Sequence, residues 1–201
     1  MVPSGGGLTA ARPPAVPDIG EIVPGYAPEG DLESTLIRQP DLIKGLQWGR
    51  PRKAHPEGAV GNHVGDLLLE IDRSGETGER RALLRVVALV HDSFKYAVVP
   101  WLPRTGENHH AMRARRFMER FTGDERILAT IELHDRPYAV WRRTRRRPRA
   151  AGRRLDAVLA RIPDHALFLR FVEIDAASEA KNPEPIRSLR EQMRERRLLS
   201  A

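Results

Sequence analysis

Residues 82–95 read ALLRVVALVHDSFK. Leu83, Val86, Val87, Leu89 and Val90 make this a strongly apolar helix, and it runs straight into an adjacent His91 and Asp92. The helical period holds on either side. Upstream, Val60, Val64, Leu67, Leu68 and Ile71 recur at three and four residues with His63 beside them, and the stretch RSGETGE (73–79) supplies a turn. Downstream, AMRARRFMERF (111–121) is rich in helix formers and ends near Gly123. Ile127, Ile131, His134, Tyr138 and Trp141 keep the same period and place His134 on a buried face. Leu167, Phe168, Phe171, Val172 and Asp175 share one stripe, so Asp175 also points inward. Pro183 and Pro185 precede a last amphipathic helix carrying Ile186, Leu189 and Met193. No segment alternates with period two and no internal repeat appears, so the expected fold is all-α, a helical bundle.

The ends of the chain read differently. Residues 1–30 are rich in Pro and Gly and poor in large apolar groups, which predicts a disordered tail. Residues 31–54 form a short helical lead-in of two turns split by Pro40, packing on the domain. The main domain is expected over 55–182 and a C-terminal helix over 183–201. Residues 142–154 hold eight arginines with one proline and one glycine, and read as a solvated loop.

At 201 residues the chain suits one domain with tails. It contains no cysteine, which removes disulfides, thiolate metal sites and thiol nucleophiles. No apolar run approaches the ~18 residues of a membrane span, and the N-terminus lacks the pattern of a secretory signal. A cytoplasmic protein without a membrane partner is therefore expected. The formal net charge is +7, with Arg far outnumbering Lys. That balance suits polyanions, but a G+C-rich genome raises Arg throughout a chain, and most of the excess is read that way.

The polar residues on apolar helical faces carry the chemistry. His63, His91, Asp92, His134 and Asp175 all occupy such positions. Burying a carboxylate without a partner costs several kcal/mol. One inward histidine is usually a satisfied core residue. A set of five inward His and Asp residues, two of them adjacent, calls for a divalent cation, for which imidazole and carboxylate are suitable ligands. Side chains from facing helices can converge on such an ion inside a bundle.

His91-Asp92-Ser93-Phe94-Lys95 resembles the HDxxK signature of the HD superfamily of metal-dependent phosphohydrolases. His55-Pro56-Glu57-Gly58 with Val60 and His63 is similar to the opening of the HD domain of bacterial CCA-adding tRNA nucleotidyltransferases. Asn108–Ala114, Glu132–Asp135 and Phe171–Ala176 follow that family's later motifs in order, so the resemblance covers roughly residues 55–180. The 54 residues upstream are too few for a nucleotidyltransferase domain, and a free-standing HD domain is expected.

The resemblance implies a first metal held by His63, His91, Asp92 and Asp175. Asp92 would bridge to a second metal held also by His110 and His134. A site with one metal remains the simpler variant. His109 competes with His110, which is favoured because Ala114 stands four positions later. Asp135 competes with Asp175. Lys95 would sit near substrate phosphate, and Asp92 with Lys95 would carry the catalysis. Phe94 stands where the family commonly has Gly, which narrows the pocket mouth. His55, Glu57, His109 and Asp135 are candidates for second-layer or substrate contacts. The ions are one or two divalent metals, and Mn, Mg, Fe, Co and Ni all suit the ligand set. The implied activity is phosphomonoester or phosphodiester hydrolysis by metal-activated hydroxide. Nucleotides, other phosphorylated small molecules and RNA ends all match this chemistry. Two alternatives are an HD-fold di-iron oxygenase with the same ligand order, and a non-catalytic module that binds nucleotide or RNA.

Overall fold

The computed structural model describes residues 18–51, 58–144, 146–177 and 182–199. Within them lie eleven α-helices and no strand, so the all-α expectation holds. The helices are α1 (Ile19–Ile22), α2 (Asp31–Leu36), α3 (Pro40–Leu46), α4 (Val60–Arg73), α5 (Gly78–Val90), α6 (His110–Met118), α7 (Glu125–Leu133), α8 (Arg136–Thr144), α9 (Pro148–Leu159), α10 (His165–Asp175) and α11 (Glu184–Glu195). No helix among the described residues is long and apolar enough to cross a membrane.

Two apolar clusters share two walls. The first gathers α1 to α7 around Leu36, Val64, Ile71, Leu84, Val87 and Met118. The second joins α8, α9 and α11 through Val140, Leu155, Leu159, Leu189 and Met193. α10 serves both. Leu167, Phe171 and Ile174 enter the first cluster, while Phe168, Leu169 and Val172 enter the second. α7 divides in the same way, with Ile127 and Ile131 on one side and Ala129 and Leu133 on the other. A helix buried on two faces is apolar most of the way round, which is why HALFLRFVEID shows so little polar alternation.

The structure corrects three sequence expectations. Residues 18–30 are packed in place of tailing off: Val23 is fully buried and Tyr26 is 5% exposed. Residues 1–17 lie outside the described residues. The period from Ile127 to Trp141 spans two helices, not one, because the chain turns at His134 and Asp135 between α7 and α8; Tyr138 is consequently 50% exposed. The arginine run is helical, not a loop, with residues 142–144 ending α8 and Pro148–Leu159 forming α9.

A buried ion pair fastens the N-terminal segment to α5. Arg85 donates from Nε to Glu33 Oε1 and from Nη2 to Glu33 Oε2, both at 2.9 Å. The Tyr26 hydroxyl donates to Glu33 Oε2 at 2.8 Å, and Arg85 Nη2 also reaches the Ala27 carbonyl at 2.8 Å. Both charged side chains are almost fully buried. Burial, and then the neighbouring Glu33 charge, push the Tyr26 phenol far above its ordinary value.

Close backbone approach completes the frame. A Cβ on Gly45 of α3 would lie 1.7 Å from the Ser93 carbonyl oxygen, and one on Gly61 of α4 would lie 2.0 Å from the Ile22 carbonyl oxygen. Only glycine lets α3 rest against the turn that follows α5.

Glu33→Ala leaves Arg85 buried without its partner, so urea unfolding followed by circular dichroism should show a loss of about 3–5 kcal/mol; a loss near zero would mean that the pair does not hold the segment. Gly45→Ala must displace the 91–94 turn or α3 and should cost about 1–3 kcal/mol in the same measurement.

Candidate metal centre

The candidate ligands stand where helices end. His91 is the C-terminal cap of α5 and His134 that of α7, Asp175 is the last residue of α10, and His110 is the first of α6. His63 comes from the first turn of α4. The last carbonyls of a helix have no partner within it, and the two capping histidines take up one each. His91 Nδ1 lies 3.0 Å from the Ala88 carbonyl oxygen and His134 Nδ1 lies 2.8 Å from that of Ile131. A carbonyl accepts only, so Nδ1 carries a proton on both rings and each Nε2 faces the cluster. Three helix C-termini also direct their partial negative charge to this place, which favours a cation there.

The side chains converge. Ring centroids lie 5.6 Å apart for His63 and His91, 5.0 Å for His91 and His134, and 5.4 Å for His110 and His134. Phe171 floors the group, 5.2 Å from His91. Asp92 sits in the middle, 7% exposed. Its Oδ1 lies 3.2 Å from His110 Nε2 and 3.7 Å from His134 Nε2. Its Oδ2 lies 3.4 Å from His91 Nε2 and pairs with Lys95 Nζ. His63 Nε2 meets Asp175 Oδ1 at 3.0 Å.

Asp92 thus belongs to two donor triads, His63-His91-Asp92 and Asp92-His110-His134, in each of which the donor atoms lie within 4.8 Å of one another. His91 Nε2 and His110 Nε2 are buried without a hydrogen bond. His110 Nε2 is near Asp92 Oδ1, but the pair is not aligned for donation. An aromatic nitrogen of this kind, left unsatisfied beside a buried carboxylate, fits a divalent ion as the missing partner. The residues present therefore suit a metal. Burial, opposed by Asp92, keeps His91 and His110 below the usual histidine value. Burial would also lower His134, but Asp92 and the charge of Asp135 outweigh it and bring His134 to about 9. At Asp92, burial is more than offset by Lys95, then His91, and the carboxyl is held well below its usual range.

The competing candidates lie in a third donor triad, His109-His110-Asp135, and differ in their contacts. His109 caps α6, its Nδ1 accepting the Ala111 amide at 3.3 Å. Its Nε2 lies 3.1 Å from Asp135 Oδ2, at ion-pair distance. His109 faces Asp135, whereas His110 faces Asp92. Asp135 is held by His109, whereas Asp175 reaches His63. Phe94 packs against Phe117 with centroids 4.9 Å apart and is 7% exposed, so it faces the core and does not narrow a pocket mouth. His55 and Glu57 lie outside the described residues.

No protein-family model, curated protein or solved structure matches this chain.

Two cavities open from the cluster. One of about 570 Å³ is bordered by Trp48, Arg50, Val60, His63, Asp92 and Lys95. The other, about 530 Å³, takes in Asp92, Lys95, His134, Asp135, Tyr138 and Asp175. Trp48 and Tyr138 escaped the sequence reading because a partly exposed aromatic looks like one more apolar position in a helical stripe.

Metal uptake tests the centre directly. The protein stripped with chelator and titrated with Co²⁺ should develop a ligand-field absorption. His91→Ala and Asp92→Ala should each weaken binding by more than about tenfold, since even outer-layer partners of a metal are worth ~10–100-fold. His165→Ala should not, because that ring bonds the Leu159 carbonyl away from the cluster. Equal binding by all four proteins would exclude the assigned ligands.

Proposed function

We propose that this protein is a metal-dependent phosphohydrolase, a phosphomonoesterase or phosphodiesterase acting on a nucleotide or another phosphorylated substrate. The observation that carries the reading is the division of Asp92: one carboxylate oxygen faces His110 and His134, the other faces His91 and Lys95. That is the disposition of a carboxylate shared between two ions. The HDxxK resemblance points the same way.

His63, His91, Asp92 and Asp175 would hold one ion, and Asp92, His110 and His134 a second. Divalent ions so bound supply Lewis acidity toward phosphoryl oxygens and lower the pKa of water enough to yield a nucleophile at neutral pH. The chain's own groups do the rest. Lys95 lines both cavities, where its ammonium can pair with a substrate phosphate and offset charge that develops on it. The His109–Asp135 pair holds the start of α6 against the α7–α8 turn, which fixes the direction of the adjacent His110 and His134. Phe171 beneath the rings keeps water from the inner side. Lysine at both cavities suits an anionic substrate such as a phosphate ester.

Asp92→Ala should abolish metal-dependent hydrolysis of p-nitrophenyl phosphate or bis(p-nitrophenyl) phosphate, with a fall on the order of 10³-fold or more if several kcal/mol of transition-state stabilisation depend on it. His134→Ala serves one ion only and should cost less. Far-ultraviolet circular dichroism should stay helical in both. Wild-type turnover by Asp92→Ala with the same metal would overturn the reading.

A further inference from the structure

Residues 136–155 contain nine arginines and no acidic residue, in a chain whose formal net charge is only +7. The remainder of the chain is therefore slightly acidic, and the basic excess is confined to one segment. A genome-wide bias toward arginine would spread it.

The structure shows how that segment is arranged. α8 packs on α9, with Val140, Ala151, Leu155, Val158 and Leu159 turned into the second apolar cluster. The arginines turn outward: Arg142, Arg143, Arg146, Arg147, Arg149, Arg153 and Arg154 are all exposed. Many arginines elsewhere face carboxylates: Arg81 pairs with Glu29 and Asp72, Arg115 with Glu125, Arg126 with Asp124, Arg190 with Glu173. Among the described residues, no carboxylate pairs with any of the seven exposed arginines of α8 and α9. Asp156 on α9 is taken by Arg196 of α11 at 2.8 Å. The basic row is long, since α9 alone spans roughly 18 Å, more than one phosphate needs.

Aromatic rings lie at its inner end. Tyr138 and Trp141 of α8 stack at 6.1 Å with 27° between planes, and the Arg142 guanidinium lies 5.9 Å from the Tyr138 ring centre. Tyr138, half exposed, also lines the cavity that holds Asp92, His134 and Asp175. α8 begins one residue after Asp135, so the basic surface starts at the wall of the metal centre.

We propose that the α8–α9 pair is a docking surface for single-stranded polynucleotide, along which the sugar–phosphate backbone lies with a base against Tyr138 and a phosphate delivered toward the cluster. A groove of unpaired cations with an aromatic platform is the arrangement that holds single strands without reading sequence. A lipid surface fits less well, because an interfacial helix needs large apolar side chains on its outer face, and those of α9 are turned inward. The binding surface stands apart from the hydrolytic reading; only the delivery of a phosphate rests on it.

The test is fluorescence anisotropy of labelled oligouridylate and oligothymidylate in the presence of EDTA, so that binding is read without turnover. The variant Arg146→Gln/Arg147→Gln/Arg149→Gln/Arg153→Gln should bind both probes far more weakly. Its log K against log salt should flatten by about 0.7 for each phosphate that the surface no longer neutralises. Tyr138→Ala should weaken binding by about tenfold, in the range of one base–aromatic stack, without changing the salt slope. Preference for the oligouridylate would identify RNA, and equal affinity a general single-strand surface. The four-arginine variant should hydrolyse bis(p-nitrophenyl) phosphate at the wild-type rate, so failure of the hydrolytic reading would show there and not in the anisotropy. Unchanged affinity and slope in that variant would overturn the surface. So would tighter binding of the wild type to phosphatidylserine vesicles than to either probe.

Discussion

Taking the Asp92 carboxylate out of water is the costly step around which the helices are arranged. An ionised carboxylate buried alone loses several kcal/mol of solvation. Here the compensating groups arrive from separate elements: Lys95 from the turn after α5, His110 from the start of α6, and His134 from the end of α7. Each contact is short only if those three places lie together, so the charge fixes the relative positions of α5, α6 and α7 more narrowly than apolar packing would. The frame behind it serves the same end. Gly45 lets α3 touch the Ser93 carbonyl, and Arg85 with Glu33 ties residues 26–33 to α5. The turn carrying His91 and Asp92 is thereby gripped from both sides.

Much of this was legible in the sequence, and the parts that were not have physical reasons. The inward phase of His63, His91, Asp92, His134 and Asp175 follows from periodicity, and the structure brings these five together with His110. The break between α7 and α8 was hidden because 127, 131, 134, 138 and 141 keep helical phase across it. The contrary signal was Pro137, whose ring clashes with the carbonyl four residues back. That residue is Leu133, where α7 ends. The helix in the arginine run was obscured by its composition, although Ala151, Leu155, Val158 and Leu159 carry the apolar spacing of a packed face. The Tyr26–Glu33–Arg85 group left no local trace, since Glu33 and Arg85 lie 52 residues apart.

The choice between neighbouring histidines shows where periodicity stops being informative. His109 and His110 are adjacent at a helix start, and spacing alone cannot say which ring points to the cluster. In the folded chain their neighbours differ. As N-terminal cap, His109 spends one nitrogen on the Ala111 amide and the other on Asp135, whereas His110, one residue into α6, is directed across at Asp92. A capping role and a ligand role compete for the same lone pairs, so adjacent residues take one each.

The two apolar clusters divide the work as well as the core. The first holds α4, α5 and α6, and Arg81, Arg85, Arg115 and Arg126 at its border are matched to carboxylates. The second holds α8, α9 and α11, and among the described residues the exposed arginines of 142–154 have no such partners, whereas Arg187, Arg190 and Arg196 at α11 do. α7 and α10 belong to both clusters, and the candidate metal centre forms at their C-terminal ends. Unpaired like charges along one helix pair repel one another and weaken the compact state. The chain already satisfies its guanidinium groups on most other surfaces, Asp156 to Arg196 among them. Concentrating unpaired guanidinium groups on α8, α9 and the turn between them, beside the Tyr138 ring and the mouth of the cavity, is the pattern of a surface whose anionic partner comes from outside the chain.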